Sequence, residues 1–235
     1  MALVAVLYGA AGQAGGSGFV AVMTFAHFGT TDIRGTTFFL NIVAAAYATL
    51  QVHRARLADW KLQWLLLAGS VPCAALGGMI PLQGRAYYAL TGLILFTVAG
   101  LMMLRRARPE GEAIGSSTAI GIGAITGLAS GVTGVGGGVF LSSLLILLGK
   151  ASPKSTMSLS PPFILANSAA ALGGLLASGQ RLPPATVGLS GAVLAGSVIG
   201  SAIGLRWMSG GAIRAVLVLI LLAGGAQMLI RAAIH

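Results

Sequence analysis

The residues best placed to do chemistry lie in Ser130-Gly131-Val132-Thr133-Gly134-Val135-Gly136-Gly137-Gly138, inside the longest charge-free tract of the chain, Ala113 to Gly149. That tract exceeds the roughly 20 residues of one simple membrane span. Glycine costs a helix about 1 kcal/mol relative to alanine, so three adjacent glycines predict a helix that stops and restarts. Unpaired backbone groups in hydrocarbon cost several kcal/mol each, so such a break persists only inside protein or beside a cavity. The chemistry this permits is anion binding, because helix N-termini carry partial positive charge and free N–H groups. The same glycines could instead serve only close helix packing.

A weaker version of the pattern, Gly12-Gln13-Ala14-Gly15-Gly16-Ser17-Gly18, opens the chain. The candidate donors are therefore the backbones of Gly15, Gly16, Ser17 and Gly18 and of Thr133, Gly134, Gly136, Gly137 and Gly138, with Gly131 beside them. The hydroxyls of Ser17, Ser130 and Thr133 join them. Polar side chains within apolar spans are costly unless partnered, which adds Asn41, Ser160, Asn167 and Ser168, with Gln13 near the first break. The alternative for the two asparagines is an interhelical hydrogen bond worth about 0.6 kcal/mol.

Each half also offers a cation, Arg34 and Lys154, placed in short loops; these are substrate contacts or snorkels to lipid phosphate. His27 and Asp32 are the titratable groups close to the first break and candidates for proton coupling. Asp32 is equally an N-cap or an ion-pair partner of Arg34.

Other chemistries are excluded. The histidines at 27, 53 and 235 are scattered, and four acids (Asp32, Asp59, Glu110, Glu112) are too few for a carboxylate pair. No metal-ligand spacing appears, no GK[ST] follows the glycines to make a P-loop, and one cysteine, Cys73, excludes an intramolecular disulfide. We therefore expect no catalytic site, no cofactor and no metal.

These residues need elements to hold them. With 56% hydrophobic and 8% charged residues, against about 25% charged in soluble domains, the chain is an all-α integral membrane protein. The formal charge of +10 does not signal nucleic acid, because the basic residues sit at the ends of apolar runs. The expected partners are a small anionic solute and membrane lipids, with a homodimer as an open option.

Charges and turn residues cut about eight apolar segments: Ala2–Phe28, Gly35–Val52, Leu62–Ile80, Ala86–Leu104, Ser117–Leu148, Ser155–Ala177, Ala185–Leu205 and Gly211–Ile230. The first lacks the basic flank of a cleaved signal and is expected to be retained. Pro72 predicts a kink, and Pro161-Pro162 an irregular point near the membrane edge.

The segments form two homologous halves, 1–108 and 117–235, joined by a linker at 109–116. Shifted by 120 residues, Gly16 falls on Gly136, Gly18 on Gly138, Gly29 on Gly149, Arg34 on Lys154 and Thr36 on Thr156. Full crossings throughout would make the halves parallel. Re-entrant glycine segments would make the crossing count odd and the halves inverted. With eight crossings the positive-inside rule slightly prefers a cytoplasmic N-terminus.

Two repeats of four hydrophobic segments, each opening on a motif like Gly127-Leu-Ala-Ser130-Gly131-Val-Thr-Gly134-Val-Gly136-Gly137-Gly138, resemble the sulfite exporter TauE/SafE family of bacterial permeases. The chain departs from that family in having no proline shortly after Gly138 and no triple glycine in its first repeat. The resemblance implies an inner-membrane permease that moves small sulfur-containing anions such as sulfite or sulfonates, with export common. The residues themselves leave three functions open: an alternating-access transporter, a passive anion channel, and a scaffold in which the glycines only pack. A cation transporter ranks below these, since Asp32 is the only acid near a break.

Overall fold

A computed structural model describes residues 1–104, 114–207 and 209–234, with side chains at 205–207 excepted. The described residues form ten helices and no strand: α1 (Ala2–Ala10), α2 (Gly16–Phe25), α3 (Thr30–Arg54), α4 (Trp60–Met79), α5 (Gly84–Leu104), α6 (Ser116–Thr133), α7 (Gly138–Leu147), α8 (Pro153–Ala177), α9 (Ala185–Trp207) and α10 (Gly210–Ile234). The linker at 109–116 falls mostly outside the described residues.

Six of these helices, α3, α4, α5, α8, α9 and α10, are long and apolar enough to cross a membrane. Where the charge pattern predicts about eight apolar spans, six helices have that length and hydropathy, and each glycine-rich segment is a hairpin of two shorter helices, α1 with α2 and α6 with α7. Helices α2 and α7 have 10 residues each; at about 1.5 Å per residue they reach only half of a ~30 Å hydrocarbon core. In the second hairpin Gly137 faces Ser130, while Leu141 and Leu145 of α7 share a cluster with Ala119 and Ile122 of α6. In the first, the Tyr8 hydroxyl of α1 meets the Ser17 hydroxyl of α2 at 2.8 Å.

Glycine lets backbones approach, and the packing shows where. Helices α4 and α6 run parallel with small residues in register. A Cβ at Gly123, Gly127 or Gly131 would lie 2.1, 2.3 or 2.3 Å from the carbonyl oxygens of Leu66, Ser70 and Ala74. Helices α1 and α9 repeat this, with Gly196, Gly200 and Gly204 on the carbonyls of Ala2, Val6 and Ala10. Each hairpin's first helix thus lies along a long helix from the other half of the sequence.

One proline expectation needs correction. Helix α8 continues through Pro161 and Pro162, and Pro72 lies inside α4. Prolines at 161 and 162 leave the carbonyls of Met157 and Ser158 without their usual i+4 donors. The adjoining turn is bridged by Gln63 of α4, whose amide, oriented to suit, donates to the Leu159 carbonyl and accepts from the Phe163 N–H at 3.1 Å each.

Candidate functional site

Both helix interruptions are made by left-handed glycines, a conformation costing other L-residues about 1–2 kcal/mol. Gly12 (φ 72°) and Gly15 (φ 117°) separate α1 from α2, and Gly134 (φ 82°), Gly136 (φ 87°) and Gly137 (φ 81°) separate α6 from α7. The two interruptions touch. A Cβ on Gly16 would sit 1.9 Å from the Val135 carbonyl oxygen, so only glycine permits that approach. Neither α2 nor α7 has a side-chain N-cap, so their first N–H groups, which lack intrahelical acceptors, open onto this junction.

Asn41 of α3 is inserted between the interruptions. Its Nδ2 would lie 2.9 Å from a Cβ on Gly16 and 2.5 Å from one on Gly136. The residue is fully buried, and neither amide atom has a hydrogen-bond partner among the described residues. Ser130 faces Gly137 with its hydroxyl equally unpartnered. Gln13 reaches from the first interruption into the second half of the chain. Its Nε2 donates to Ser142 at 3.0 Å and Ser160 at 3.2 Å, and its unpartnered Oε1 lies beside Gly138. One turn from Phe163 and Ile164, which pack on Gly137 and Gly136, Asn167 donates to the Phe163 carbonyl and leaves its Oδ1 unpartnered.

The remaining candidates separate by role. Ser17 spends its hydroxyl on Tyr8. Thr133 donates to the Ala129 carbonyl and accepts from the Val135 N–H, fixing the start of the second interruption. Gly18 lies against Val4 and Tyr8, and Gly131 against α4. Ser160 is shared by Gln13 and Ser142, while Ser168 is buried with an unpartnered hydroxyl.

Arg34 and Lys154 are not loop cations. Both lie in the first turns of long helices, and they differ completely in environment. Arg34 is buried, and its guanidinium donates to the carbonyls of Gly77 (3.0 Å), Gly78 (3.3 Å), Ile80 (2.7 Å) and Gly131 (2.9 Å). It closes the C-terminal end of α4 and does not face lipid, while its Nε, beside Gly134, has no partner among the described residues. Lys154 is exposed and lines a cavity. Asp32 is exposed in the first turn of α3, whose N-cap is Gly29. It is therefore neither the cap nor, with Arg34 committed to carbonyls, that residue's ion-pair partner. His27 is exposed beside Arg231, with Nδ1 3.3 Å from its guanidinium. Neither His27 nor Asp32 belongs to the junction.

Sequence reasoning passed over Ser142, Ser143 and Gln63. All three are polar and buried within apolar helices, and that mismatch was the available signal. The assembled residues offer backbone N–H groups, hydroxyls and amides, with the tyrosine hydroxyls of Tyr8 and Tyr87 bonded to Ser17 and to the Thr133 carbonyl. Among the described residues no cluster of His, Cys, Asp or Glu could hold a metal.

Comparison with known proteins settles the class. The sequence profile described as sulfite exporter TauE/SafE matches residues 1–228. The chain belongs to the TauE/SafE family of membrane transporters. It is 33% identical over 234 residues to the "Probable membrane transporter protein y4hK" of Sinorhizobium fredii, covering 97% of this chain and 94% of that protein. No solved structure matches. With six candidate spanning helices, this TauE/SafE chain is a multi-pass inner-membrane protein, and its family is one of transporters, not an enzyme class.

Proposed function

We propose that the protein is a secondary transporter, working as an exporter, for a small sulfur-containing anion such as sulfite or an organosulfonate. The observation that carries the site is the junction of the two interruptions. Two helix N-termini meet there around Asn41, Ser130, Gln13 and Asn167, each buried with at least one unpartnered polar atom. Fixed dipoles of this kind bind an anion without a buried cation. The sulfur chemistry comes from the family description.

The reading extends to topology. One hairpin and three long helices in each half form an inverted repeat, and the solute is exchanged by movement of the elements around the junction. Helices α4, α6 and α8 begin at one end of the bundle, where Arg54, Arg56, Lys61, Lys150, Lys154 and Arg214 gather. Arg85, Arg181 and Arg231 belong to the other end, together with buried Arg34. The segment joining α5 to α6 carries three further arginines, 105, 106 and 108. The positive-inside rule then puts the lysine end in the cytoplasm and the N-terminus outside, opposite to the eight-crossing expectation.

Purified protein warmed with sulfite, methanesulfonate, taurine, sulfate and matched carboxylates tests the function. A native-state ligand at about 100 times its Kd stabilises by about 2.7 kcal/mol. A selective rise in melting temperature with one sulfur anion, followed by its flux into liposomes, is the expected result. Equal response to carboxylates, or none to any anion, overturns the assignment.

A further inference from the structure

The chain contains three lysines, Lys61, Lys150 and Lys154. All three line one cavity of about 850 Å³, although up to 93 residues separate them in sequence. The N-terminal ends of α4, α6 and α8 open into the same cavity through Asp59, Ser116 and Ser155. Among the described residues Asp59 is the one acid on its wall, and its Oδ1 already accepts from the Leu62 N–H as the cap of α4. Three lysines against one aspartate give the described residues of the wall a net charge of two positive units, supplemented by three helix dipoles.

The cavity also leads inward. Met157, Ser158 and Leu159 line it, and the next residue, Ser160, bonds Gln13 of the first interruption. Met157 is pressed against Gly12, whose Cβ would lie 2.7 Å from the Met157 Cα. The lysine-lined wall and the junction are therefore joined by consecutive residues of α8.

We infer that this cavity is an outer capture site for a small oxyanion, holding the solute by charge before it passes to the junction. The inference rests on the transporter reading above. Lysine suits the task, since its ammonium is a hydrated point charge that does not lock a bidentate geometry. The division of labour follows: the outer site selects by charge and the inner one by hydrogen-bond geometry. Lys61 and Lys154, both exposed, carry most of the capture.

The same chemistry would hold a lipid phosphate, so the test separates the two sources. Because the only side-chain amines are at the cavity, lysine acylation followed by mass spectrometry reports on it directly. In phosphatidylcholine vesicles, methanesulfonate should slow acylation of Lys61 and Lys154 several-fold over sodium chloride of matched ionic strength. The Lys61→Gln/Lys154→Gln variant should raise the KM for sulfite efflux about tenfold, within the range of electrostatic steering. Its maximal rate should be retained and the salt dependence of KM flattened. Acylation unaffected by methanesulfonate, or slowed only on adding phosphatidylglycerol, overturns the inference, the second outcome making the cavity a lipid site. Lysines protected in a protein that transports no sulfur anion would sink the transporter reading and leave an anion site. Sulfite efflux with unprotected lysines and an unchanged KM would do the reverse.

Discussion

Asn41 shows how a binding residue differs from a packing residue. A buried amide without partners costs about 1–3 kcal/mol, and Asn41 leaves both polar atoms unmatched at the closest approach of the two hairpins. Replacing it with leucine, which has the same number of side-chain heavy atoms, removes that cost. The expected outcome for Asn41→Leu is a ligand-free protein at least as stable as the parent, by up to about 2 kcal/mol, that has lost its ligand-induced thermal shift and its flux. Thermal unfolding in detergent with and without sulfite measures both. A variant that still responds to sulfite removes Asn41 from the site. Arg34 differs, since its guanidinium is already held by four carbonyls. Sequence could place both residues near the glycines, but it could not tell them apart. An arginine next to an apolar run has the same signature whether it faces lipid, solute or a ring of helix-end carbonyls.

Among the helices, the glycines divide by what stands opposite them. Gly127 has the Ser70 carbonyl 2.3 Å from where a Cβ would be, whereas Gly121, on the same helix, has nothing within 4 Å. Gly127→Leu must force α4 and α6 apart and is expected to lower stability by about 3 kcal/mol or more, beyond ordinary overpacking. Gly121→Leu should be neutral or slightly stabilising, because leucine favours helix over glycine. Melting temperatures of the pair decide it, and equal losses would mean that the two helices do not pack as described. The long helices were legible to within a few residues, because charges and prolines mark their ends. The hairpins were not: a kinked crossing and a folded-back pair have the same composition and differ only in which residues face each other. The double proline misled because Gln63, on another helix, repairs the neighbouring turn, and no local pattern reveals a partner about 100 residues away.

Across the whole molecule, the proposed topology of six crossings decides which side of the membrane each loop faces. The proposed orientation places the α3–α4 loop near Leu57 inside and the α2–α3 loop near Phe28 outside. Single cysteines at these positions, in a Cys73→Ala background, should respond oppositely to a membrane-impermeant maleimide added to intact cells. Labelling is expected at 28 and none at 57. The reverse pattern would invert the molecule and turn the lysine cavity outward, and labelling at both would mean that α3 does not cross.

The pairing of α1 with α9 also constrains biogenesis. Helix α1 is 9 residues long, and its backbone is met by Gly196, Gly200 and Gly204, which leave the ribosome only after most of the chain has been inserted. Until then the first hairpin lacks the surface that shelters its interrupted backbone. The protein must therefore hold its own N-terminal segment unfinished in the membrane and complete the fold at the end of synthesis. A nascent chain released before α9 would carry every residue of the first interruption and still lack the support that shapes it.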